Sequence, residues 1–178
     1  MGKNVLIITG SPRKDGNSDL LAKEFAKGAL EQGNNVDFIR IADKNLGYCK
    51  ACYVCSTLGV CVQKDEMNDI AQKLISADVV LFASPVYFYS MSGQLKVFMD
   101  RLVPFYEKVK ADIYIFVTAA DNNEDLIKNA VNSIRGTTRD CFENCSEKGV
   151  IMAGNVNDKG DILNSPLLKK AYLMGLHC

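Results

Sequence analysis

The residues best equipped for chemistry lie in Gly10-Ser11-Pro12-Arg13-Lys14-Asp15-Gly16-Asn17-Ser18. Ser11, Arg13, Lys14, Asn17 and Ser18 place hydroxyl, cationic and amide donors within eight residues. The buried-strand pattern Asn4-Val5-Leu6-Ile7-Ile8 precedes them, and Leu20, Leu21, Phe25, Ala26, Ala29 and Leu30 follow at helical spacing. A helix N-terminus at the carboxyl end of a strand offers unpaired N–H groups and a positive dipole end, which suit a phosphate. Asn17 and Ser18 read as N-caps of that helix. Neither G-x-x-x-x-G-K-[ST] nor G-x-G-x-x-G is present, which argues against a nucleoside triphosphate with magnesium and against the usual dinucleotide loop. One terminal phosphate monoester remains as the ligand this loop suits, with a plain βα turn as the alternative.

A second cluster is Cys49, Cys52, Cys55 and Cys61, spaced C-x2-C-x2-C-x5-C. Thiolates so spaced on a loop suit a [4Fe–4S] cluster, whereas zinc knuckles ordinarily stand further apart. A reversible disulfide is also open to a C-x2-C pair. Lys50 and Lys64 flank the run. Cys141 and Cys145, four apart, read as core residues of one helix face. Seven cysteines in a chain without a signal-like leader argue against a disulfide framework.

The elements that must position these groups alternate. Strands are expected at 4–8, 36–41, 78–83, 113–118 and 150–153, with helices between them, including 66–77 and 92–103. A further helix starts near Asp121 or Asn122 and continues past Gly136 toward Cys145, and Ser165-Pro166 opens the last one. This alternation predicts an α/β fold, a doubly wound five-stranded parallel sheet of order 2-1-3-4-5. One domain, 1–178, is expected, with a Cys-rich insertion at about 43–64.

Twenty-one basic residues balance twenty-one acidic ones, so no whole-molecule field draws the chain to nucleic acid or to a membrane surface. No apolar run reaches the ~20 residues of a membrane span, and a cytoplasmic location is expected. The only histidine, His177, is read as incidental. Lys96 and Asp100 read as an i, i+4 ion pair, with Arg101 beside them open to a partner-subunit contact.

Gly10-Ser11-Pro12-Arg13 through Gly16-Asn17-Ser18, the clustered cysteines, Ser84-Pro85-Val86-Tyr87-Phe88, and Leu95-Lys96 through Asp100-Arg101 together resemble the NADPH-dependent FMN reductase-like branch of the flavodoxin superfamily, including iron–sulfur flavoproteins. The resemblance implies that Ser11, Arg13, Asn17 and Ser18, with Lys14 adding charge, hold the FMN phosphate. Pro85, Val86, Tyr87, Phe88, Tyr89 and Ser90 would run along the isoalloxazine ring, and the loop from Thr118 and Ala119 to Asn122 would close the other side. It further implies NAD(P)H as co-substrate and a homodimer or homotetramer. For Cys49, Cys52, Cys55 and Cys61 it offers either the [4Fe–4S] ligand spacing of iron–sulfur flavoproteins or the structural or redox-active thiols of flavodoxin-like reductases with no assigned cluster.

No side chain stands out as nucleophile or general base, as expected where a flavin carries the chemistry. The first functional expectation is an FMN-dependent NAD(P)H oxidoreductase passing electrons to a quinone, flavin or similar small acceptor. The alternatives are an electron carrier that bears FMN and a cluster and serves a redox protein, and a thiol-based redox or metal sensor.

Overall fold

Parallel strands need crossovers, and this chain supplies helices for them. In the computed structural model, which describes residues 2–178, the strands β1 (Asn4–Thr9), β2 (Asn35–Arg40), β3 (Val79–Pro85), β4 (Asp112–Thr118) and β5 (Ser146–Ala153) form one sheet. Its order is β2-β1-β3-β4-β5, with every neighbouring pair parallel. The helices are α1 (Asn17–Glu31), α2 (Cys55–Leu58), α3 (Met67–Ser76), α4 (Gly93–Asp100), α5 (Glu124–Thr138) and α6 (Leu167–Leu176). This is the flavodoxin-like arrangement expected from the alternation of patterns.

Alternate residues of each strand feed two apolar layers. Leu6, Ile8, Val80, Phe82, Ile113 and Ile115 pack with residues of α3, α4 and α5. On the opposite face Val5, Ile7, Leu81, Tyr114 and Phe116 pack with α1 and α6. Phe25 of α1 lies 4.9 Å from the Tyr114 ring and 5.8 Å from Phe116, centroid to centroid. Full burial of such a side chain contributes about 1.5–3 kcal/mol. Helices α1 and α6 approach until Gly28 meets the Tyr172 carbonyl and Gly175 meets Phe25 backbone, leaving no room for a Cβ at either glycine.

Two sequence expectations need correction. Helix α5 ends at Thr138, so Cys141 and Cys145 share no helix face; Cys141 is exposed and Cys145 half-buried. The ladder widens there, with Asp140 N–H donating to Arg135 O and Phe142 N–H to Thr137 O, and Phe142 turns into the core. Strand β5 begins four residues earlier than its apolar run because Ser146, Glu147 and Lys148 lie on an exposed sheet edge.

Candidate functional site

The β1–α1 loop lies where β1 and β3 deliver their carboxyl ends. Gly10 N–H donates to Ala83 O at 2.8 Å, and Gly10 O accepts from Ser92 Oγ at 2.7 Å, so β3 and α4 fix the start of the loop. Ser11 Oγ then donates to Arg13 O at 3.0 Å and accepts from Arg13 N–H at 3.2 Å. Gly16 N–H closes the turn onto Arg13 O at 3.0 Å.

Asn17 and Ser18 are not caps. Gly16 is the N-cap of α1, with φ −70° and ψ 170°, and no side chain bonds to the open end. Among the described residues, the N–H groups of Asn17, Ser18 and Asp19 meet no protein acceptor, and the buried Ser18 hydroxyl has no partner. Four donors are thus left open at a positive helix end, the arrangement an anion satisfies. Asn17 instead ties down the loop after β5. Its Nδ2 donates to Asp158 O at 2.8 Å and Val156 O at 3.3 Å, while Oδ1 accepts from Gly160 N–H at 3.0 Å and Ile162 N–H at 3.4 Å. Arg13 Nη1 donates to Asn157 O at 2.8 Å, at the same rim.

A hollow of about 200 Å³ opens beside these groups. Ser11, Arg13, Gly16, Asn17 and Ser18 form one wall, Pro85, Val86 and Tyr87 another, and Thr118, Ala120, Val156 and Asn157 the rest. Residues from the first, third and fourth strand ends therefore converge on one hollow. Lys14 is exposed and outside this lining, and Ala119 is buried behind it with Ala120 at the surface. Phe88, Tyr89 and Ser90 also stand off the walls. They belong to a tight turn in which Tyr87 and Ser90 exchange backbone hydrogen bonds at 3.0 Å. Phe88 and Tyr89 both have positive φ, 48° and 57°, and the Phe88 side chain is wholly exposed. Their own N–H groups meet no protein acceptor among the described residues, so they remain as donors beside the hollow.

Sequence reasoning missed two charged residues under this loop, Asp19 and Arg40. Burial pushes the Asp19 carboxyl up, opposed in part by the Arg40 guanidinium. Arg40 Nε donates to Asp19 Oδ2 at 2.9 Å and Nη2 to Ser11 O at 3.2 Å. The one signal available was a cation ending a strand beside β1, with Arg40 in register with Thr9.

The four loop cysteines line a separate hollow of about 150 Å³, together with Tyr53, Val62, Arg101, Val103 and Pro104. All four are free thiols. Arg101 is not the partner-subunit contact suggested by the sequence. It is buried, paired with Asp65, and donates to Gly47 O at 3.0 Å and Cys61 Sγ at 3.1 Å. Burial alone would raise the Cys61 thiol, but the Gln63 N–H and Arg101 outweigh it and hold the thiol below its ordinary value. The donor set is of the kind that takes iron or zinc. Among the described residues, no three Cys, His, Asp or Glu side chains are grouped to hold a single metal ion. Ala51 and Tyr53, within the run, adopt positive φ of 49° and 57°.

Residues 3–126 match the family model of NADPH-dependent FMN reductases. The chain belongs to that family. The matched segment of this FMN reductase-family chain runs from β1 through the open helix end, the cysteine loop and the 85–90 turn into α5. An iron–sulfur flavoprotein of Methanocaldococcus jannaschii is 42% identical over 100 residues, which is 56% of this chain and 52% of that protein. One from Archaeoglobus fulgidus is 37% identical over 98 residues, 55% of this chain and 44% of that one. The chain thus spans about half the length of the curated relatives it matches. Among solved structures, an NAD(P)H:quinone oxidoreductase from Methanothermobacter marburgensis superposes with a TM-score of 0.75 at 16% identity, covering 99% of this chain and 97% of that one. An azoreductase from Bacillus anthracis gives 0.77 at 14% identity, covering 99% and 100%. These two show the shared fold. Among the described residues, no helix is long and apolar enough to cross a membrane.

Proposed function

We propose that the chain is an FMN-dependent oxidoreductase that takes hydride from NAD(P)H and passes electrons to a small acceptor such as a quinone or a flavin. The observation that carries this reading is the open end of α1, with three free N–H groups and a buried, unpartnered Ser18 hydroxyl at the mouth of one hollow. The phosphate of FMN fits there, held by those groups with Ser11 and Arg13 at the rim. The segment 85–90 and the stretch from Thr118 to Ala120 flank the ring, with the Phe88 and Tyr89 N–H groups available to its polar edge. The bound flavin supplies the hydride and electron chemistry, and the protein binds, orients and shields it. Assembly as a homodimer or homotetramer in the cytoplasm accompanies this reading.

The test is direct. Purified protein should be yellow, take up FMN at one per chain by calorimetry, and oxidise NAD(P)H in the presence of a quinone. Colourless protein that takes up no FMN would refute the proposal.

A second reading, an electron carrier with FMN and a [4Fe–4S] cluster serving a redox protein, draws support from the iron–sulfur flavoproteins that this chain resembles and from four thiols lining one hollow. Anaerobic purification followed by iron and sulfide assay distinguishes it, with about four irons per chain expected for a cluster.

A further inference from the structure

An ionised carboxylate in the first turn of an anion-binding helix end works against the anion it should receive. Asp19 is such a group: it is fully buried and directly follows the Asn17–Ser18 N–H pair in the first turn of α1. Arg40 answers it. This guanidinium, itself largely buried, donates Nε to Asp19 Oδ2 at 2.9 Å and Nη2 to Ser11 O at 3.2 Å. Its Nη1 is anchored outside by both oxygens of Asp43, at 2.6 and 2.7 Å. The same Asp19 oxygen accepts from Asp15 N–H at 3.1 Å, so the carboxylate also props the middle of the loop.

From this geometry we propose that Arg40 is the positioning residue of the phosphate end, cancelling the buried Asp19 charge and holding the Ser11 carbonyl so that the N–H groups of α1 stay open to a dianion. Arg40 does not contact the ligand. It acts through Asp19 and Ser11, from the next strand of the sheet. The inference rests on the reading that the flavin phosphate sits at this helix end.

The test compares FMN with riboflavin, which lacks the phosphate, by calorimetry on wild-type protein and on Arg40→Met, Arg40→Lys, Asp19→Asn and the Asp19→Asn/Arg40→Met pair. Arg40→Met should weaken FMN binding about tenfold or more, the scale of a lost charged hydrogen bond, while riboflavin binding stays within about twofold. The double variant should recover most of the lost FMN affinity, because the uncompensated charge goes with Asp19. Arg40→Lys, which keeps the charge and loses the fork, should fall between wild type and Arg40→Met. It serves as the folded reference should Arg40→Met fail to fold. Wild-type FMN affinity in Arg40→Met, equal losses for FMN and riboflavin, or a double variant as weak as the single one would overturn the role of Arg40. Wild-type protein that binds riboflavin as tightly as FMN would instead overturn the phosphate reading on which it rests.

Discussion

Arg101 Nη2 stands 3.1 Å from the sulfur of Cys61, forty residues earlier in the chain. The same guanidinium pairs with Asp65 and donates to Gly47 O, so one buried cation grips both ends of the cysteine loop. Losing one partner of a buried pair leaves the other charge uncompensated, at about 3–5 kcal/mol. Arg101→Met should lower stability on that scale in urea denaturation, with Arg101→Lys intermediate. A midpoint unchanged by either substitution would contradict the clamp.

Gly10 is required for a close approach. A Cβ there would lie 2.5 Å from Ser92 Oγ and 2.6 Å from Leu95 Cβ, between the loop and α4. Overpacking at such a site costs about 1–3 kcal/mol. Gly10→Ala should destabilise the fold by that amount and loosen FMN binding, since the displaced segment begins the phosphate loop. Thermal unfolding and FMN titration read the two effects separately.

The turn at Phe88 and Tyr89 carries two left-handed residues where Asn-Gly is the favoured pair. Each non-glycine residue in that region costs about 1–2 kcal/mol. The double change Phe88→Asn/Tyr89→Gly should therefore stabilise the fold by about 1–2 kcal/mol in total once the lost side-chain contacts are set against the relief, read as a higher denaturation midpoint. A lower midpoint would show that the aromatic pair contributes more contact energy than its backbone strain removes.

Acid sensitivity should arise partly at Glu147. Two hydrogen bonds from Arg135, at 2.7 and 2.8 Å, hold its carboxyl below the usual value against the opposing effect of partial burial. A carboxylate whose folded pKa is depressed stabilises the fold above its unfolded pKa of about 4.3, and that contribution is lost as pH falls through the lower folded value. Glu147→Gln should cost about 0.5–1 kcal/mol at pH 7. The difference from wild type should vanish in acid, where both side chains are neutral. A gap that persists there would show that charge is not what Glu147 contributes.

The sheet order was legible because buried strands such as Val79–Pro85 are continuous apolar runs and the helices between them are amphipathic. Strand β5 was read short because an exposed edge needs no apolar signal. The loop 10–18 was legible by composition, but the roles inside it were not. Asn17 looked like a cap and is a tie to the 156–162 loop, a contact across about 140 residues that no local pattern encodes. Arg40 went unnoticed and Arg101 was offered to a partner subunit because burial of arginine is decided by distant carboxylates, Asp19 and Asp65, and not by neighbours in sequence.

Glu66 receives both the Lys44 ammonium and the Asn45 N–H, at 2.8 and 2.9 Å. Residues 45–65 therefore leave the sheet and return to the same spot, tied to the scaffold there, by Leu46 on the core and by the Arg101 clamp. Such a segment can be exchanged like a cartridge. The content of the segment can then change while the sheet keeps its place, as long as the Glu66 and Arg101 anchors hold.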